Sequence, residues 1–121
     1  MPSQETFIKQ QLIGPYAIGE IPSPLQITIT DYDGAVIDLT DFTAKFKIVR
    51  LDDDTPSGLA TGSSTIFDAS NGVTQYSFVA ADFTTSGHYR GVMWVGDGSV
   101  RYSSDMFEWF IRDNGTTAPS I

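Results

Sequence analysis

The chain has 121 residues, enough for one domain with a usable core, and its formal charge is −8. That charge repels phosphates and the seven Lys and Arg residues are scattered along the sequence, so we expect no nucleic-acid partner. No stretch approaches the roughly 20 apolar residues that span a bilayer, and the N-terminus lacks the apolar core of a secretory signal, so no membrane partner is expected. With no cysteine and a single histidine, His88, the sequence offers no basis for a disulfide framework, a zinc site or a histidine-based triad.

Residues 1–24 differ from the rest of the chain, since they hold four of the six prolines and their apolar residues have no clean period. They are predicted to form an extended N-terminal arm. Its apolar side chains are too many to leave in water, so we expect them to contact a neighbouring subunit rather than complete the domain's own core. These predicted contact residues are Phe7, Ile8, Leu12, Ile13 and Tyr16.

Apolar and polar residues alternate along most of the chain after residue 24, which is typical of strands with one buried face. Turn clusters rich in Gly, Asp and Asn separate the runs. An all-β antiparallel sandwich is therefore predicted over residues 25–113, followed by a polar tail at 114–121. In chain order, the predicted strands lie at 25–30, 42–49, 65–67, 73–79, 88–95, 100–104 and 106–112.

The acidic turn Asp31-Tyr32-Asp33-Gly34, with Asp38 after it, is the best metal candidate in the sequence. A calcium loop needs six to eight oxygen ligands, usually with a bidentate glutamate. Here the third acidic position and the terminal Glu are missing, so a β-turn capped by Asp side chains is favoured. We expect no metal and no cofactor, and the missing carboxylates count against a calcium-rigidified bacterial Ig-like module.

Features of an enzyme are also lacking in the sequence. The serines have no nucleophile-elbow context, and Glu108 has no carboxylate partner at strand spacing. The run Asp52-Asp53-Asp54 is interpreted as a solvated loop tip. The protein is therefore expected not to be an enzyme.

The segment Gly87-His88-Tyr89 begins a strand and resembles the tyrosine corner of Greek-key sandwiches, in which the phenol bonds to backbone upstream. If Tyr89 points inward, Gly91, Met93 and Val95 do as well. The outer face of the strand then carries His88, Arg90, Val92 and Trp94.

Arg90 and Trp94 on that outer face suggest a contact surface, because Trp and Arg favour interface centres. An equally open alternative is that a loop or the N-terminal segment covers Trp94. The last strand is apolar on both faces, with Trp109 on one and Phe110 on the other. It is therefore expected to be covered on both sides, by a partner chain or by the N-terminal arm.

Residues 25–111 together resemble the Ig-like N-terminal domain of phage upper baseplate proteins. The matching pieces are ITITDYDGAVIDLTDFTAKFKI, DASNGVTQYSFVAADFTTSGHYRGVMWV and VRYSSDMFEWFI. The resemblance implies an Ig-like fold and a place in a virion that is assembled in the host cytoplasm. It also implies contacts with other virion proteins, within a homo-oligomeric assembly. Because the chain ends soon after this domain, we expect a small adaptor or decoration protein of a phage head, neck or tail.

Two functions from different classes are consistent with these observations. The first is a non-enzymatic virion structural protein (an adaptor, a decoration protein, or a baseplate, tail or neck component) that acts through subunit–subunit contacts. The alternative is a carbohydrate-binding sandwich, in which Trp94 and Tyr102 form an aromatic platform and Asp97 or Arg101 bonds to sugar hydroxyls. An isolated, solvent-exposed platform would favour the second function.

Overall fold

The computed structural model describes residues 6–8, 16–31, 33–52, 62–104 and 106–121. These residues form nine strands and two short 3-10 turns, at Ala69–Asn71 and Ala80–Phe83. Neither turn, nor any other helical segment of the described residues, is long and apolar enough to cross a membrane. The strands are β1 (Thr6–Ile8), β2 (Tyr16–Ala17), β3 (Leu25–Ile29), β4 (Thr43–Arg50), β5 (Ser63–Asp68), β6 (Val73–Ser77), β7 (Gly87–Gly96), β8 (Arg101–Ser103) and β9 (Phe107–Arg112).

The strands form two sheets. The first has the order β1-β3-β6-β5, and the second has the order β2-β9-β7-β4, with β8 pairing to the distal end of β7. All pairings are antiparallel except that of β2 with β9. In immunoglobulin-type sandwiches, the strands are lettered A-B-E-D in one sheet and G-F-C in the other. Here β1-β3-β6-β5 corresponds to A-B-E-D and β9-β7-β4 to G-F-C, with β2 added beside β9. The predicted all-β sandwich is therefore confirmed.

The core lies between the two sheets because the alternating apolar side chains of both sheets point inward. Phe46 on β4 packs against Tyr76 on β6 with ring centroids 4.5 Å apart, which joins the two layers. Tyr76 also donates a hydrogen bond to the buried Asp82. The buried cluster includes Leu25, Ile27, Ile29, Leu39, Phe46, Ile48, Tyr76, Phe78, Phe83, Tyr89, Met93, Val95, Trp109 and Ile111.

The described parts of the N-terminal segment lie in the sandwich's own sheets, which differs from the predicted separate arm at residues 1–24. Strand β1 pairs with β3, and β2 pairs with β9. The Tyr16 ring contacts Phe83 edge-on, with centroids 5.4 Å apart, and Ala17 is buried. The physical reason is that each sheet ends in a strand whose backbone groups need partners, and short extended pieces of the same chain supply them. Leu12 and Ile13 lie outside the described residues.

Candidate interaction surface

The start of β7 is a tyrosine corner built from Gly87 and Tyr89. Tyr89 is 2% exposed, and its hydroxyl donates a hydrogen bond of 2.6 Å to the carbonyl oxygen of Thr85. Gly87 has a φ of +149°, and a Cβ atom there would lie 2.6 Å from a carboxylate oxygen of Asp52 and 2.7 Å from Nε of Arg50. Only glycine fits this position without strain. The corner orients β7, which carries residues toward both the core and the opposite face.

Alternation along β7 places Tyr89 and Met93 in the core and leaves Trp94 on the outer face, 40% exposed. The register then sets its neighbours, since Lys45 of β4 and Ser103 of β8 lie opposite Trp94. Side chains paired in this way share a face of the sheet. The outer face of the second sheet, which we call the outer face below, consists of the outward positions of β4, β7, β8 and β9.

One end of the outer face is organised around Glu108. Its carboxylate accepts a hydrogen bond of 3.1 Å from Arg90 and lies 2.7 Å from Nε2 of His88. The hydrogen bonds from Arg90 and then from His88 hold the pKa of Glu108 below its ordinary value. The His88 ring also stacks on Phe110, with centroids 4.3 Å apart. These contacts hold the Arg90 head on the face.

The other end of the outer face is basic and surrounds Trp94. Lys45, Lys47, Trp94 and Arg101 line a shallow depression of about 340 Å³. Within the described part of the chain, no ion pair engages either lysine or Arg101. This depression and its four lining residues are called the Trp94 patch below. Its basic side chains come from strands that are distant in sequence.

Exposed apolar side chains extend the outer face along β9. Phe110 is 55% exposed, and Met106, just before the strand, is 59% exposed. Trp109 and Ile111 point into the core instead. The described residues therefore cover β9 on one side only, so the expected cover on the second side does not come from them.

The carboxylates of the acidic turns accept hydrogen bonds from the backbone of their own turns. One carboxylate oxygen of Asp31 accepts the N–H groups of Asp33 at 2.9 Å and Ala35 at 3.1 Å. Asp38 accepts both the N–H and the hydroxyl of Thr40, which lowers its pKa. These are the local caps that favour tight turns. Among the described residues, no group of three or more potential metal ligands lies together.

The aromatic platform expected for a carbohydrate module is not formed, because its two members point to opposite sides. Tyr102 lies opposite Val95 and packs against the core, where its ring stacks on Phe42 with centroids 6.1 Å apart. Trp94 is one position away in register and points outward. Period-two alternation puts adjacent positions on different faces, so no single sugar ring can lie across Trp94 and Tyr102.

The structure brings two of the predicted contact residues, Arg90 and Trp94, to one face and places Tyr16 against the core. Phe7 and Ile8 lie on edge strand β1. The sequence did not reveal that Lys45, Lys47 and Arg101 lie together, since the basic residues were expected to form no cluster. Only the pairing of β4 and β8 with β7 shows that Arg101 lies on the same face as the two lysines.

Comparison with known protein families identifies a match over most of the chain. The model of the BppU N-terminal domain, a phage baseplate upper protein domain, matches residues 3–120. The resemblance found over residues 25–111 is thereby confirmed and extends over nearly the whole chain. No curated protein matches the chain.

Proposed function

The chain belongs to the BppU N-terminal domain family, and we propose that it is a non-enzymatic structural component of a phage particle that works through subunit–subunit contacts. Its place is the virion, assembled in the host cytoplasm, and its partners are other virion proteins. Family membership favours the baseplate over the head, neck or decoration roles.

The observation that carries this proposal is the outer face. It combines exposed Trp94, Phe110 and Met106 with the head of Arg90 on the outward side of the second sheet. Trp and Arg are enriched at interface centres.

The residues predicted in the N-terminal segment have a smaller part in the proposal. Phe7 and Ile8 lie on β1, which is the edge of the first sheet among the described strands and can pair with a neighbour's strand on its outer side. Leu12 and Ile13 remain proposed contacts. Tyr16 contributes to the domain's own packing instead.

Removal of the aromatic groups from the outer face tests the proposal. The double variant Trp94→Ala and Phe110→Ala is expected to fold but to be lost from purified particles when it replaces the natural chain during infection. The matched control is Phe67→Ala, which removes an exposed aromatic ring from the outer surface of the first sheet. Incorporation of the double variant at the level of the control would contradict the proposal.

A further inference from the structure

The charge of this molecule is divided unevenly over its surface. Five of the seven basic residues lie at outward positions of the second sheet, although the chain as a whole carries −8. Glu108 is the one carboxylate at the outward positions of β4, β7, β8 and β9, and it is engaged by Arg90 and His88. The five basic residues are Lys45, Lys47, Arg90, Arg101 and Arg112.

From this distribution we infer that the Trp94 patch binds an acidic segment of a neighbouring protein. Carboxylates of the segment pair with Lys45, Lys47 and Arg101, and an apolar part of it covers the Trp94 ring. The inference rests on the proposed function and adds the chemistry of the partner to it. It differs from a general contact surface in requiring negative charge on the other side.

Spacing favours an extended segment. Lys45 and Lys47 are alternate residues of one strand, so their side chains leave the sheet about 7 Å apart. Carboxylates at alternate positions of a second extended chain have the same spacing. Arg101 on β8 lies across the Trp94 ring from the lysines, so charged groups border the ring on two sides.

A simpler explanation covers only part of the patch. Lysines on an edge strand discourage pairing with other chains, and β4 is the edge of its sheet. That explanation fits Lys45 and Lys47. It also extends to Arg101, because β8 pairs only with β7 and so has an open side among the described strands. It does not account for exposed Trp94, because β7 has partner strands on both sides.

Within the described residues, no ion pair joins the acidic turn after β7 to the basic side chains of the Trp94 patch. Asp97 follows β7 directly, but one of its carboxylate oxygens accepts the N–H groups of Ser99 at 2.8 Å and Val100 at 2.9 Å. These bonds also lower its pKa. The carboxylate is thus held within its own turn. A long polyphosphate would extend from the patch over the acidic remainder of the surface, whereas a short acidic peptide fits within it.

The inference is tested by titrating the protein at low salt with a short peptide of alternating Glu and Ser. Binding is monitored in NMR spectra through the indole N–H signal of Trp94. We expect the Trp94 signal and the β4 amides to shift, and the Trp109 signal to stay. The variant Lys45→Gln, Lys47→Gln should weaken binding by about fivefold or more, as expected for loss of two exposed charge pairs. The matched control, Ser63→Glu with Thr65→Glu, has the same net charge but keeps the patch, and should retain most of the affinity.

Three results would overturn the inference: no shift with the peptide, an equal shift with a Gln–Ser peptide, or stronger binding of a polyphosphate of the same charge. The last would assign the patch to a phosphate polymer. If the peptide fails to bind while the Trp94→Ala, Phe110→Ala variant is still lost from particles, the inference falls and the proposed function stands.

Discussion

At the scale of single residues, Tyr89 illustrates how one polar atom ties a strand to the preceding turn. Its hydroxyl is held 2.6 Å from the Thr85 carbonyl while its ring packs in the core on Trp109. A buried hydrogen bond of this kind contributes on the order of 1 kcal/mol net. The corner could be predicted because Gly87-x-Tyr89 is a local pattern that needs no knowledge of the partner strand.

Tyr89→Phe is therefore expected to lower the free energy of unfolding by about 1 kcal/mol, because the Thr85 carbonyl loses its donor. Urea denaturation provides the measurement. Tyr102→Phe is the matched control, since the described residues give the Tyr102 hydroxyl no hydrogen-bond partner. An equal loss in the free energy of unfolding for the two variants would contradict a specific stabilising contribution of the Tyr89 hydrogen bond.

Glu108 provides a second prediction at this scale. Arg90→Gln removes the largest cause of its lowered pKa, so that pKa should rise toward its ordinary value. Because the folded-state pKa is the lower one, the contribution of Glu108 to stability is present above the unfolded-state pKa. It is lost as the pH falls through the folded-state value.

An NMR titration of the side-chain carboxyl groups measures this shift. Asp38 is the internal control, since its pKa is lowered by hydrogen bonds from Thr40 and not by an arginine. A Glu108 pKa that is unchanged in Arg90→Gln, or an Asp38 pKa that moves as far, would contradict the assignment.

At the scale of elements, β2 shows that the N-terminal segment contributes to the fold. The half-buried Tyr16 packs on Phe83, and Ala17 is buried beside the end of β9. Tyr16→Ala should therefore destabilise the isolated domain by about 2 kcal/mol, roughly half the cost at a fully buried aromatic position. Ile21→Ala, at a 62% exposed position of the same segment, should change stability little.

Thermal unfolding of the two variants distinguishes the alternatives. An arm that serves only a neighbouring subunit predicts unchanged melting temperatures for both. A clear loss in Tyr16→Ala alone supports β2 as part of this domain.

The sequence alone predicted those strands whose pattern of apolar and polar residues is local. The strand at 25–30 was predicted within a residue of β3, and the predicted 88–95 lies within β7, because alternation with one buried face is strong there. It did not suffice for β1 and β2, since strands of two or three residues are too short for a period. Nor did it show the Trp94 patch, because Arg101 reaches Trp94 only through the pairing of β8 with β7.

At the scale of the whole molecule, the interior of the sandwich and the outer face have different roles. The interior supplies stability through a core shared by both sheets, so the outward positions of the second sheet are free to carry groups that do not stabilise the isolated domain. Exposed Trp94, Phe110 and Met106 are of that kind. Their presence together is accounted for if another protein covers them in the particle.

Cysteine labelling tests this central claim most directly, because the natural chain has no cysteine. Val92→Cys places a thiol on the outer face between Arg90 and Trp94, and Thr65→Cys places one at an exposed position of the first sheet. Maleimide labelling is measured by the mass of this chain, both in the isolated protein and within purified particles. We predict that the thiol at position 92 reacts in the isolated protein and is protected in particles, while the thiol at position 65 reacts in both. Equal labelling of position 92 in the two states would contradict the account.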